Sequence, residues 1–122
     1  MSATHPIGSV GTVMLGVKDL NASVDFYTRV LGLTTKLQSP VLALLDAGPV
    51  TLGLSPGHLR LAPQAAGATE VVFHVPSIRS AQQELAGRGV TFLSDPRQAT
   101  ATEWAVHFRD PDGHLLSLFG KE

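Results

Sequence analysis

The sequence predicts an α+β fold in which two βαβββ modules form a cleft about a pseudo-two-fold axis. The order strand, helix and three strands occurs twice along the chain, and residues 17–23 and 75–81 occupy matching places in the two copies. Internal repetition of this kind is typical of a domain built from copies of one supersecondary unit. We therefore expect a helix to cover one side of each sheet, and the two concave sides to enclose a small-molecule site.

The length of 122 residues favours a single domain. We predict that the first module covers residues 9–54 and the second module covers residues 70–120. The linker, residues 55–69, is rich in Pro, Gly and Ala and shows no sustained period. It is expected to be a connecting loop with at most one short turn.

Composition excludes several classes of function. The formal net charge is −1 and no run of like charge occurs, which argues against nucleic-acid binding and against a polybasic membrane surface. No apolar run approaches the roughly 20 residues of a membrane span. The absence of cysteine excludes disulfides and thiolate metal sites. The first residues lack the features of a signal peptide, so a cytoplasmic location is expected.

Apolar spacing defines the elements of the first module. Residues 11–17 alternate as a strand does, and a helix then follows, capped by Asp19 or Asn21. The apolar positions of this helix recur at helical spacing: Leu20, Val24, Tyr27 and Leu31. Gly32 is expected to end the helix. Three strands are predicted next, over residues 33–38, 41–46 and 50–54.

The second module repeats this order. Residues 70–75 form a predicted strand, Ser77 is the expected helix cap, and Ile78, Ala81 and Leu85 form the apolar stripe. Strands are predicted over residues 90–93, 103–108 and 114–119. Between the last two lies Asp110-Pro111-Asp112-Gly113, a tight turn in which Gly113 can adopt positive φ. We expect His114, just beyond this turn, to be solvated.

Two segments resemble a known family. Residues 17–33, VKDLNASVDFYTRVLGL, are similar to the opening of vicinal oxygen chelate proteins, and residues 110–116, DPDGHLL, are similar to their ending. This superfamily includes glyoxalase I, fosfomycin-resistance transferases, extradiol dioxygenases and bleomycin-resistance proteins. The resemblance implies the βαβββ repeat and, because relatives commonly pair, a homodimer whose clefts can be shared between chains.

The resemblance also identifies where a metal would bind. Metal-dependent members place one ligand on each of four strands, and the equivalent positions here are Thr12, Gly53, Glu70 and Ser117. Only Glu70 offers a strong ligand for a divalent ion. We therefore predict that the metal site of the family is absent and expect no cofactor. A metal site rebuilt from Glu70, His74 and His107 is the alternative.

Strand alternation extends the predicted cleft surface from these four positions. Gly16, Thr51 and Ala105 share the surface. His107 does so only if the seventh strand keeps its register, since a bulge would reverse its faces. The predicted ligand-binding residues are Thr12, Met14, Gly53, Glu70, Val72, His74, His107, Leu115, Ser117 and Phe119.

Three functions remain open at this point. The resemblance favours binding of a small organic molecule in a metal-free cleft, as in resistance by sequestration, although the weak net charge does not favour a strongly cationic drug. The alternative is a glyoxalase-like lyase, isomerase or hydrolase that uses Glu70 or a histidine as general base. The third is an accessory module with a vestigial cleft.

Overall fold

The structure, a computed structural model, describes residues 10–61 and 69–122. The first module contains β1 (Thr12–Gly16), α1 (Leu20–Asp25), a π-helical turn (Phe26–Val30), β2 (Thr34–Ser39), β3 (Leu42–Asp46) and β4 (Thr51–Ser55). Helix α2 (Gly57–Leu61) follows, in the predicted linker, of which residues 62–68 lie outside the described residues. The second module contains β5 (Glu70–Ser77), α3 (Ile78–Gly87), β6 (Arg97–Gln98), β7 (Trp104–Arg109) and β8 (Leu115–Lys121).

The two modules form two four-stranded mixed sheets with the same topology. The strand orders are β1-β4-β3-β2 and β5-β8-β7-β6. In each sheet the first and last strands of the module pair in parallel, and the remaining pairs are antiparallel. The predicted α+β class and its two-module arrangement are therefore confirmed.

The helix-facing sides of both sheets contribute to one hydrophobic core. Leu45 and Leu54 of the first sheet belong to the same cluster as Val106 and Phe108 of the second. Tyr27 and Ile78 join this cluster from the helical segments. The opposite sides of the sheets, which carry the predicted ligand-binding residues, are more open: Val72 on β5 is 46% exposed.

The helix caps and the tight turn that the sequence predicts are present in the structure. Asp19 caps α1 by accepting a hydrogen bond from the amide of Ala22 at 3.1 Å, and Ser77 caps α3 by accepting one from Ser80 at 3.2 Å. Gly113 adopts φ +88° and donates its amide hydrogen to the carbonyl of Asp110 at 3.0 Å. These contacts are local in sequence, which is why the sequence identifies them.

The predicted strand over residues 90–93 is wrong. The third strand pair of this sheet uses Arg97 and Gln98 instead, while Phe92 makes only an isolated bridge to Phe108. The rings of Phe92 and Phe108 meet edge to face, with their centroids 5.5 Å apart. The apolar character of this segment therefore reflects side-chain packing onto the core and does not reflect a β-ladder.

A buried carboxylate in the β7–β8 turn joins the two modules. Asp110 Oδ2 accepts a 2.7 Å hydrogen bond from the Tyr27 hydroxyl, and its Oδ1 accepts from the amides of Asp112 and His114. Asp112 in turn accepts from the Lys18 amide at 2.7 Å and from the Ser23 hydroxyl at 3.0 Å. The turn of the second module thus holds the start and the middle of the first module's helix.

His114 contradicts the expectation that it is solvated. The residue is only 6% exposed, and its Nε2 lies 2.7 Å from the carbonyl oxygen of Gly16 at the end of β1. Because a carbonyl only accepts, Nε2 carries the hydrogen. Nδ1 is buried and has no partner in the described part of the chain. The imidazole is therefore a second link between the modules.

Tyr27 should remain protonated at high pH for as long as the protein stays folded. Burial raises the pKa of Tyr27 far above its usual value, and the adjacent carboxylate of Asp110 adds to this effect. The unfolded chain releases the phenol proton near pH 10, so the stabilising contribution is complete below that pH and falls as the pH rises above it. Because Tyr27 is the only tyrosine, tyrosinate absorbance measures this group alone.

We expect tyrosinate absorbance to appear together with loss of the far-ultraviolet circular dichroism signal. Tyr27→Phe should lower the free energy of unfolding at neutral pH by about 1–3 kcal/mol, because Asp110 loses a buried hydrogen bond. Ionisation near pH 10 with the secondary structure intact would contradict this account.

Candidate functional site

The open side of the second sheet is one continuous surface that carries most of the predicted residues. Across the β5–β8 pair, Glu70 lies opposite Leu115 and Val72 opposite Ser117. Across the β7–β8 pair, His107 lies opposite Ser117 in an uninterrupted register. The predicted register of the seventh strand is therefore right, and the remaining members of this surface are His74, Ala105 and Phe119.

The side chains of Glu70 and His107 contact each other on this surface. Oε2 of Glu70 lies 3.0 Å from Nε2 of His107, and their side chains are 34% and 40% exposed. The carboxylate fixes the hydrogen on Nε2 and orients the imidazole. A carboxylate held against an imidazole can accept a hydrogen bond from a ligand or take a proton from it.

His74 is not part of this pair. It stands four residues beyond Glu70 on the same strand, about 13 Å away at the usual rise of a β-strand. Its ring lies beside that of Phe119, with centroids 5.4 Å apart and planes tilted by 40°. The structure therefore does not assemble the alternative metal site of Glu70, His74 and His107.

On the first sheet, Met14 occupies the space beside Gly53. The two residues are partners in the β1–β4 pair, and a Cβ atom added at Gly53 would collide with Sδ of Met14 and press against Leu44. Gly53 is thus the position that allows the thioether to lie flat on the sheet. A metal-ligating side chain at this position would have to displace it.

The four positions equivalent to the family's metal ligands do not fit a divalent ion. They supply the carboxylate of Glu70, the hydroxyls of Thr12 and Ser117, and no side chain at Gly53. Ser117 is also almost fully buried. Among the described residues, no three His, Asp or Glu side chains come close enough to share an ion. The donor set therefore disagrees with the metal chemistry of the family.

The structure groups these four positions into two pairs. Thr12 and Gly53 lie on the adjacent strands β1 and β4, and Glu70 and Ser117 lie on the adjacent strands β5 and β8. Within residues 10–61 and 69–122, no side-chain hydrogen bond or ion pair joins the first pair to the second. The convergence of all four positions on one point stays a prediction.

A cavity of about 600 Å³ runs along β5. Its lining includes three of the predicted residues, Glu70, Val72 and His74. The opposite wall comes from Val13, Val50 and Leu52 of the first module. Leu52 is only 2% exposed and belongs to the hydrophobic core, and Val13 packs against that core, so the cavity borders the helix-facing side of the first sheet.

Comparison with known proteins establishes the class of protein. Residues 9–118 match the model of the Glyoxalase/Bleomycin resistance protein/Dioxygenase superfamily. The chain therefore belongs to this superfamily, as the two sequence motifs had indicated.

Individual relatives include both an enzyme and a binding protein. The chain is 32% identical to the glutathione transferase FosA of Serratia marcescens, across 90% of this chain and 79% of the relative. A glyoxalase/bleomycin resistance protein/dioxygenase from Nocardioides has a similar structure, with a TM-score of 0.77, 26% identity and coverage of 97% and 86%. TnmS3, an antibiotic-binding protein from Streptomyces sp. CB03234, matches in fold with a TM-score of 0.78, 18% identity and coverage of 97% and 99%.

No helix in the described part of the chain is long and apolar enough to cross a membrane. The expected cytoplasmic location stays a prediction.

Removing the charge of Glu70 should have little effect on stability. Even a fully charged pair at a partly exposed site contributes at most about 1 kcal/mol, so Glu70→Gln is expected to change the free energy of unfolding by less than that amount. Asp110→Asn is the matched comparison, because it removes a buried carboxylate that accepts three hydrogen bonds, and it should cost about 1–3 kcal/mol or more. Urea denaturation measures both. An equal loss in the two variants would show that Glu70 is structural.

Proposed function

We propose that this protein binds a small organic molecule on the surface around Glu70 and His107, and holds it without a metal ion. The observation that carries the proposal is the 3.0 Å contact between these two side chains on a partly open, otherwise mainly apolar surface. Val72, Leu115 and Phe119 supply apolar area around the pair. Small-molecule sites usually combine such an apolar lining with a few well-placed polar groups.

Sequestration is the proposed outcome of binding. In the metal-dependent members of the superfamily an ion polarises the substrate, and the donors of this chain do not fit one. The relative TnmS3 is described as an antibiotic-binding protein, which supports a ligand of this kind. The remaining groups, a carboxylate–imidazole pair and hydroxyls, are suited to hydrogen bonding with an organic molecule.

We further propose that a second copy of the chain completes the cleft. The open sides of both sheets expose large apolar side chains in the single chain: Leu37 of β2 is 49% exposed and Val72 of β5 is 46% exposed. Pairing the first sheet of one chain with the second sheet of another would cover both. Light scattering is expected to give the mass of a homodimer, and a monomer at micromolar concentration would contradict this arrangement.

The purified protein should contain no stoichiometric divalent metal. Elemental analysis after expression in medium supplemented with zinc, manganese and nickel is expected to find far less than one ion per chain. Adding each ion should leave the melting temperature unchanged, because only one of the four equivalent positions is a strong ligand. One tightly held ion per chain that is lost in Glu70→Ala would overturn the metal-free proposal.

Ligand binding should depend on the pair. We expect a screen of aromatic antibiotics by thermal shift and native mass spectrometry to yield ligands whose affinity falls about tenfold or more in Glu70→Gln, because a hydrogen bond to a charged group is lost. Glu84→Gln, on α3 and outside this surface, is the control for loss of one carboxylate. Equal affinity in wild type and Glu70→Gln would contradict the site.

A glyoxalase-like lyase or isomerase remains the second candidate, and the same contact favours it. Glu70, oriented against His107, is placed to act as a general base. In that case the ligand would be recovered altered, and Glu70→Gln would lower the rate by roughly 10²–10⁴-fold with little change in binding. Recovery of unaltered ligand by mass spectrometry supports sequestration.

A further inference from the structure

We infer that a crevice between α3 and the first module is a second small-molecule site, which binds a neutral two-ring aromatic molecule. This inference goes beyond the proposed function, because the α3 crevice lies on the helix-facing side of the second sheet. Phe73 and Val75 of β5 line it, and they alternate along the strand with Glu70 and Val72 of the open surface. The sheet therefore separates the two sites, and each can be tested without the other.

The α3 crevice is a cavity of about 370 Å³. Its mainly apolar lining comes from the second sheet, from α3 and from the first module, and includes Phe108, Leu118, Ala81, Leu85 and Leu31. Protein interiors contain few voids larger than a water molecule, so a cavity of this size is not an ordinary packing defect. An apolar cavity of about 150 Å³ already binds benzene. The α3 crevice therefore has room for a second ring.

The internal repeat shows that this fold can also fill the corresponding space. Ala81 and Leu85 hold the places that Ser23 and Tyr27 hold in the first module. Ser23 and Tyr27 are fully buried, whereas Ala81 and Leu85 are only partly buried. Leucine has neither the ring nor the hydroxyl of tyrosine, so α3 lacks a buried hydrogen bond like the one that Tyr27 makes to Asp110. The second helix is thus packed less closely, and apolar space remains beside it.

Arg88 supplies the polar group of the site. Its side chain is 41% exposed and lines the crevice just beyond the end of α3. One terminal nitrogen donates to the carbonyl of Val30 at 3.0 Å, and the other donates to the carboxylate of Glu84. These contacts use two of the five N–H donors, so the others can bind a hydroxyl or carbonyl oxygen. Because Glu84 balances the charge, a neutral ligand is favoured, and a guanidinium group also stacks on aromatic rings.

Coverage of the crevice by a second copy of the chain is the competing explanation. A surface that docks another protein exposes large apolar side chains, as Leu37 and Val72 do elsewhere in this chain. The apolar side chains of the crevice are instead recessed: Leu31, Phe73 and Leu85 are all partly buried and pack against the core. A concave apolar site with one polar group is typical of small-molecule binding.

Titration with 2-naphthol tests this site, since the probe has two aromatic rings and one neutral hydroxyl. We expect it to shift the carbon-13 methyl signals of Leu31, Ala81 and Leu85 in the full-length protein, and to shift those of Leu115 on the open surface far less. Leu85→Tyr introduces the residue that the first module has at the equivalent place. It should weaken 2-naphthol binding about tenfold or more, because the added ring fills the space that the probe needs.

Ala81→Met provides a second way to fill the crevice, and the same loss of affinity is expected. Ala86→Met is the matched control, because Ala86 is exposed on the same helix and does not line the crevice. Circular dichroism checks that each variant is folded. Equal affinity in wild type, Leu85→Tyr and Ala81→Met, or an equal loss in Ala86→Met, would overturn the site.

Two further results separate this site from the alternatives. Larger shifts at Leu115 than at Leu85 would place the probe on the open surface and would overturn the inference. Conversion of a dimer to a monomer by Leu85→Tyr, measured by light scattering, would show that a second copy covers the crevice and would overturn it as well. Glu70→Gln should leave 2-naphthol binding unchanged. Antibiotic binding that depends on Glu70 would survive the failure of the α3 crevice, and the reverse also holds.

Discussion

The buried carboxylate of Asp110 is the interaction on which the rest of the structure depends. A carboxylate that is 5% exposed would be costly without partners, and three hydrogen bonds compensate for its desolvation. Two of them shape the β7–β8 turn, and the third, from Tyr27, fastens that turn to the other module. Because β7 and β8 enter and leave the turn directly, the same bonds help to fix where His107 and Ser117 stand relative to the first module.

The contacts that stabilise the fold and the polar side chains of the open surfaces lie on opposite sides of each sheet. The helix-facing sides supply the core, and the Asp110, Asp112 and His114 contacts also join the modules there. The opposite sides contain exposed pairs, Glu70 with His107 and Lys36 with Thr51, which contribute little to stability. Side chains on the open surfaces can therefore change with little effect on the fold, which is how one fold can accommodate several chemistries.

Sequence reasoning was accurate where the determinants are local. Alternation placed Glu70, Val72 and His74 on one side of β5, and capping rules identified Asp19 and Ser77. It failed where distant contacts decide. His114 was expected to be solvated because nothing near it in sequence reveals the carbonyl of Gly16. The bulge at Lys36 lies in a strand of mainly polar residues and has no sequence signal of its own. The apolar residues around Phe92 likewise led to a wrong strand prediction, because Phe92 is apolar in order to pack on Phe108.

The internal repeat places different side chains at equivalent positions of the two open surfaces. Thr12 on β1 and Glu70 on β5 hold equivalent places in the two modules, as do Gly53 on β4 and Ser117 on β8. The contacts on the two sheets also differ: Lys36 donates to Thr51 on the first, and a carboxylate lies against an imidazole on the second. A ligand that contacts both would need to be as asymmetric as the two surfaces.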